Sequence, residues 1–522
     1  MPILRLGDDY WKGSGPLDPY LRWAELTNFR SLQGSDRDFP ARLSFIVERT
    51  PASQGWEELD RLDNVDVEVE YLRPMVNNEV SRFATLRVIT KELTDDQLKE
   101  CVLRLLEHPD VERLQLGYPR GRSRNMPKQN PAPPVPPKGG RPQPQPEPAE
   151  VVMGIIDDGC CFAHPDLLDP AGRTRLALIW LQTTYDETKP PWVAPSGFKD
   201  GRVLERPAMM AFMEQSQPGG SLEEVLCYQA AFATQEEKSW LKPNRALLSR
   251  DSHGGSVMLV AAGRPPNLRG MRPHYKLGDD LHGEHGDAAS RCPLIFVNLP
   301  REQVEVSSGR WMPVNALDAL RFILQEARAR FTRADGSRMP VAVNLSYGST
   351  AGSHSGGAMF ECAIDELLNA DEHLAITLAA GNSRDAESHA ELDVPARGSA
   401  SLGLFVPTST PFDTFVEFWL PPQANLSTIE VSVTTPEGLV MVVSGAQRES
   451  VLAEPFTPAD GPEEWARKRT AALFLFPRVV QATDRTMATL VVCGTVHSVR
   501  RDTLATAGPW RVTVKNGGTS AL

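Results

Sequence analysis

Acid–base and nucleophilic chemistry needs carboxylates, imidazoles, hydroxyls and amide donors held at fixed spacing. This chain concentrates them in four short clusters. Asp157-Asp158-Gly159 follows an apolar run and leads into His164-Pro165-Asp166-Leu167. Asp251-Ser252-His253-Gly254-Gly255-Ser256 opens the helical stretch MLVAAG, 258–263. Asn344-Leu345-Ser346-Tyr347-Gly348 ends a third apolar run, and Ala379-Ala380-Gly381-Asn382-Ser383 a fourth. Each also has a plain structural explanation. A carboxylate after a strand caps the next turn, His-Gly-Gly makes a tight turn, and Asn after Gly is ordinary left-handed turn chemistry.

The runs that end in these clusters are VVMGIID (151–157), CPLIFVNLP (292–300), MPVAVNLSYG (339–348) and LAITLAAGN (374–382). Continuous apolar runs read as strands buried on both faces of a parallel sheet. Helical patterns lie between them, over 314–330 and 358–369. Strands alternating with helices predict a doubly wound α/β domain. Such sheets bind ligands beyond the carboxyl ends of their strands, where the polar clusters stand.

Two other textures flank this domain, and one boundary is sharp. Residues 119–150 (PRGRSRNMPKQNPAPPVPPKGGRPQPQPEPAE) are too proline-rich for helix or sheet and predict an extended, semi-rigid linker. PPVPP within it also fits an SH3-type ligand, although a spacer is the simpler reading. Before the linker, alternating segments at 41–50, 65–72, 81–89 and 111–118 read as strands. Helices are predicted over 53–63, with Ser53 as cap, and over 95–110, with Leu98, Val102, Leu105 and Leu106 on one face. The order β-α-β-β-α-β predicts a ferredoxin-like unit over 41–118. Residues 1–40 form an extension with no assignable pattern. From about Ser401 the period becomes two, and 401–522 reads as an all-β sandwich or jelly roll.

Taken together and in this order, the clusters resemble the subtilisin-like serine protease family. IIDDG with HPDL is similar to the family's aspartate motif, and SHGGSVMLVAAG to its histidine motif. NLSYG resembles its substrate-binding edge, and AAGN its oxyanion asparagine. The resemblance covers about 151–400, and the unit before the linker is similar to the family's prodomain. It implies His253 as general base and Asp157 as the carboxylate that orients it, with Asp158 an alternative in register. It implies Asn382 as oxyanion donor and Leu345, Ser346, Tyr347 and Gly348 as the edge along which a peptide lies. Calcium sites come with the family, but the sequence shows no calcium signature. No metal or cofactor is expected.

The nucleophile departs from the pattern. The family's serine opens a buried helix within Gly-Thr-Ser-Met-Ala, and the counterpart here is Gly518-Thr519-Ser520-Ala521-Leu522. Two residues cannot form that helix, and GPWRVTVKNGG before them reads as a sandwich strand and turn. Ser520 is therefore not expected to act. The expectation is an endopeptidase whose serine segment is missing from this chain, the sandwich being an insertion before it. The alternative is an inactive peptide-binding or scaffold protein.

Other candidates carry less. Asp279 to Asp287 gathers acids with His282 and His285, but without a helix to hold the two histidines on one face. Cys160-Cys161 fits buried filler better than redox chemistry. His-Gly-Gly also occurs at the oxyanion turn of α/β-hydrolases, a class that requires Gly-x-Ser-x-Gly, which this chain lacks. The segment 170–248 lengthens the Asp157–His253 interval with Trp180, Trp192 and Trp240, its role left open.

Composition narrows the partners. The chain has 522 residues, room for about three domains. Its 55 Lys and Arg against 67 Asp and Glu give −12, which argues against nucleic acid. No apolar run is long enough to span a bilayer and no secretory leader is visible, so a cytoplasmic protein is expected. Seven scattered cysteines do not read as a disulfide framework. The expected partners are a peptide or protein substrate and the chain's own N-terminal unit.

Overall fold

The computed structural model describes residues 3–4, 18–29, 42–75, 77–90, 93–117, 149–182, 190–232, 245–264, 287–300, 312–333, 335–422, 424–453, 468–480, 482, 484–496 and 504–522. The Pro-rich linker up to Pro148, Trp240 and the acidic–histidine run up to Gly286 lie outside these residues.

Strand β1 (Ile3–Leu4) and helix α1 (Pro19–Leu26) come first. The unit after them comprises β2 (Arg42–Arg49), α2 (Glu57–Asp60), β3 (Val65–Val67), β4 (Phe83–Ile89), α3 (Asp95–Leu106) and β5 (Val111–Leu116). Its antiparallel sheet has the order β3-β4-β2-β5, the split β-α-β arrangement that the pattern predicts. Thr94 and Gln97 form a capping box for α3, whose Leu98, Val102 and Leu105 are buried.

Two expectations shorten here. Ser53 does not cap a helix; its hydroxyl donates to the Gly55 carbonyl. Buried Trp56 instead fixes the start of α2 by donating to the Ser81 carbonyl. The strand over 65–72 ends at Val67 and becomes a 3-10 turn over Val69–Leu72. There Glu68 accepts from the Lys199 amide, and the Glu70 amide donates to Gly197.

The central domain contains β6 (Val152–Asp157), β7 (Leu176–Leu181), β8 (Arg202–Glu205), α4 (Arg206–Gln215), α5 (Glu224–Phe232), α6 (His253–Ala262), α7 (Ala288–Arg291), β9 (Leu294–Asn298), α8 (Pro313–Arg330), β10 (Val341–Leu345), α9 (Met359–Ala370) and β11 (Leu374–Leu378). The sheet order is β11-β10-β6-β9-β7-β8, parallel except for β8. Alternate residues of β6 feed two cores. Ile156 packs with α8 and α9, and Ile155 with α5 and α6, so helices cover both faces. Gly154 lets α8 lie close, because a Cβ there would fall 2.6 Å from Ile323. Within the segment 170–248, β7 and β8 extend the sheet at the end away from β10 and β11. Trp180 packs with Phe198 and Phe322 on the α8 face, and Arg202 lies over Trp192.

The N-terminal unit sits on α8 and α9, and one apolar cluster runs from it into the parallel sheet. Arg87, 1% exposed, crosses that junction to Asp318 at 2.7 Å, with Glu68 and Asp200 beside it.

The C-terminal part is a sandwich of β12 (Gly398–Val406), β13 (Thr414–Pro422), β14 (Ile429–Thr434), β15 (Val440–Ser444), β16 (Glu449–Ala453), β17 (Arg469–Phe476), β18 (Arg485–Val492) and β19 (Gly508–Asn516). Its sheets run β1-β16-β17-β18-β13 and β12-β19-β14-β15. Parts of the N-terminal extension are therefore ordered elements, although its sequence shows no assignable pattern. β1 pairs with β16, and α1 bridges two cores. Trp23 and Leu26 enter the sandwich core, while Leu21 and Ala24 enter the core of the N-terminal unit. Too few residues point into either core for a periodicity to show. No described helix is long and apolar enough to cross a membrane.

Candidate functional site

Asp157 is the last residue of β6 and fully buried. His253 is the first residue of α6, with its side chain 60% exposed. The two meet at 2.7 Å, His253 Nδ1 to Asp157 Oδ1. The same oxygen accepts from the Asp158 amide at 2.7 Å. Asp157 Oδ2 is buried without a hydrogen-bond partner among the described residues. Burial pushes the Asp157 carboxyl above its ordinary range, and the bonds from His253 and the Asp158 amide partly offset this. The structure places Asp157, not Asp158, against the imidazole.

The glycines explain how α6 reaches the end of β6. A Cβ on Gly254 would lie 2.2 Å from the Gly159 carbonyl, and one on Gly159 2.4 Å from Ser252 Cβ. Gly159 also adopts φ +89°, a conformation open chiefly to glycine. Ser252 caps the helix by accepting from the Gly255 amide, and the Gly254 amide donates to the Asp158 carbonyl. His-Gly-Gly is thus a helix start pressed onto the Asp-Asp-Gly loop.

Asn298, at the end of β9, was not singled out by its sequence. Its side-chain oxygen accepts from the Gly159 amide at 2.8 Å, and the Leu299 amide donates to the Asp157 carbonyl. It holds the loop that aims Asp157. The signal was present: a polar residue closing a buried apolar run needs a partner.

Leu345 ends β10 beside β6, paired with Ile156, so Ser346 to Gly348 leave the sheet next to Asp157. Tyr347 sets its ring edge-on to His253, with centroids 6.2 Å apart. Burial first, then Asp158 and Asp157, raise the Tyr347 phenol to about 12, so it stays protonated at neutral pH. Ser346 Oγ accepts from Asn344 Nδ2 at 2.8 Å. Leu378 pairs with Leu345 at the end of β11, and Asn382 follows on an exposed loop after Gly381 at φ +93°. The structure therefore joins Asp157, His253 and Tyr347 directly. It sets Leu345, Ser346 and Gly348 beside them and leaves Asn382 at the end of the next strand.

Among the described residues no hydroxyl or thiol hydrogen-bonds to His253. Ser520 belongs to the sandwich: its carbonyl accepts from Asn516 Nδ2, and Leu522 and Val394 exchange backbone hydrogen bonds. Cys160 and Cys161 are buried, and burial raises both thiols, Cys161 to about 12, which makes them poor nucleophiles. Asp287, the described end of the acidic–histidine run, caps α7. No group of three or more metal-ligating side chains gathers among the described residues.

No family model matches the chain, and no curated protein matches it. Among solved structures, the Clostridium perfringens CspB protease superposes over 72% of this chain with a TM-score of 0.42 and 16% identity. The match spans 60% of that protease.

Proposed function

We propose that this protein is a subtilisin-like serine endopeptidase in architecture and in the chemistry of its base. The observation that carries the reading is the bond between exposed His253 and fully buried Asp157 at the carboxyl ends of parallel strands. Bonding Nδ1 to the carboxylate leaves Nε2 as the atom that takes a hydroxyl proton. The attacking oxygen then bonds the scissile carbonyl carbon, whose oxygen becomes the oxyanion. Nε2 returns the proton to the leaving amine as the C–N bond breaks. The Asp157 carboxylate stabilises the imidazolium between these transfers. Leu345 to Gly348 would pair with the substrate backbone, and the Asn382 amide would donate to the oxyanion. The N-terminal unit, seated on α8 and α9, fits the part of a folding prodomain.

The nucleophilic serine is assigned to no described residue. That same fact favours a second reading, a protein that holds peptides without cutting them. Fluorescein-labelled casein tests both. Cleavage that is abolished by His253→Ala supports the peptidase. Saturable casein binding without cleavage, weakened by changes at Tyr347, supports the binding protein. Cleavage that survives His253→Ala rejects the assignment of the base.

A further inference from the structure

We infer that Glu417 is a positioning residue for the 345–348 edge and that helix α1 acts on that edge through it. The inference rests on the proposed role of the edge. Glu417 lies on β13 of the sandwich, half-buried. One of its carboxylate oxygens, Oε2, accepts from the Gly352 amide at 2.8 Å and from Trp419 Nε1 at 3.0 Å. Gly352 stands five residues after Tyr347, in the loop joining β10 to α9. Its φ of +110° turns the chain there as glycine does most readily. The other oxygen, Oε1, accepts from the Tyr20 hydroxyl of α1. One carboxylate therefore ties the candidate edge to the sandwich and to the N-terminal helix.

The far side of α1 is equally fixed. Asp18, 1% exposed, caps the helix at the Tyr20 amide and also accepts from the Leu116 amide of β5 at 2.6 Å. Tyr20 packs on Phe415 with ring centroids 4.9 Å apart. Trp23 donates to Asp413 at 2.7 Å, and Arg22 pairs with Glu449 at 2.8 Å. The helix is a strap across the N-terminal unit and the sandwich, and Tyr20–Glu417–Gly352 is the point where it reaches the loop that continues the edge. A loop amide held by a carboxylate acceptor restricts the backbone around it, as peptide pairing at the neighbouring edge requires.

Hydrogen exchange on the whole chain tests this without presuming peptidase activity. In Glu417→Ala, exchange across 346–358 should rise about tenfold, the factor that one lost hydrogen bond sets, while β17 and β18 stay protected. Tyr20→Phe removes a single hydroxyl and should quicken the same loop by a smaller factor. The two changes should be non-additive, because they share Glu417. Tyr20→Phe also serves if Glu417→Ala does not fold. Unchanged loop exchange in either folded variant overturns the inference. Fluorescein-casein binding separates the two readings. Binding that weakens with the loosened loop supports the link through to the site. A loosened loop with unaltered binding upholds the link and counts against 345–348 as the binding edge.

Discussion

Two buried aspartates divide the work of this molecule. Asp318, 1% exposed, is saturated: Oδ1 accepts from Thr85 at 2.6 Å and Tyr71 at 3.1 Å, and Oδ2 pairs with Arg87 at 2.7 Å. Asp157 is as deeply buried, but among the described residues its Oδ2 has no partner, and its side-chain contact is an imidazole open to solvent. An unsatisfied buried acceptor costs stability. Asp318 is built to hold two domains together. On the proposed reading Asp157 biases one imidazole, and a carboxylate kept short of donors does that better than one whose charge is already neutralised.

Exchanging each carboxylate for its amide should separate the roles most strongly. On the peptidase reading, in a form that carries the serine, Asp157→Asn should lower casein cleavage about 10⁴-fold, as loss of the orienting carboxylate does in triads, with stability within about 1 kcal/mol of wild type. Undiminished cleavage would end the pairing of roles. Arg87→Ala should do the reverse. It leaves Asp318, Glu68 and Asp200 uncompensated and should cost about 3–5 kcal/mol in urea unfolding, with activity per folded molecule unchanged. A cost under 1 kcal/mol would show that the junction does not depend on the cluster.

Gly254→Ala should fall between these extremes. Its methyl would meet the Gly159 and Asp158 carbonyls, pushing α6 off the loop at a cost of about 1–3 kcal/mol and parting His253 from Asp157. Cleavage should fall by more than the stability loss explains; an active, stable variant would remove the glycine's role.

A further effect is in pH. Burial raises Asp18 to about 7, opposed by the Leu116 and Tyr20 amides and reinforced by Glu417. Burial raises Glu25 to about 7 as well, opposed by Arg22 and Lys99 and reinforced by Glu449. The folded state thus holds these protons more tightly than the unfolded chain. The associated stability is full below about pH 4 and is lost as pH rises through about 7. Unfolding free energy should decline from pH 5 to pH 8, and Asp18→Asn should flatten part of that slope. A slope of opposite sign would show that the strap acids are not buried as described.

Much of the architecture was legible in the sequence, because it depends on period. Four apolar runs became β6, β9, β10 and β11, and alternating segments became the sheets of the N-terminal unit and the sandwich. Where the period was short or mixed, the reading failed. Trp56 stopped one expected helix from starting at Ser53, and α1 showed no pattern because its two sides enter different cores. Of the candidate site, Asp157, His253 and Tyr347 could be named from their motifs; Asn298 carried only the general signal of a polar residue closing an apolar run, and Glu417 carried none. Their partners lie at Gly159, Tyr20 and Gly352, on other elements, and no local spacing encodes a contact between segments distant in sequence.

By itself, the sequence determined which residue types end which strands, since hydrophobic period and turn chemistry are local. Only the tertiary structure decided that Asp157 and not its neighbour meets His253. It also decided that Gly518-Thr519-Ser520 follows a sandwich strand, and that the N-terminal helix is tied through Glu417 to Gly352. Each of these turns on which donor arrives within hydrogen-bond distance of which acceptor, and packing between distant segments sets that distance.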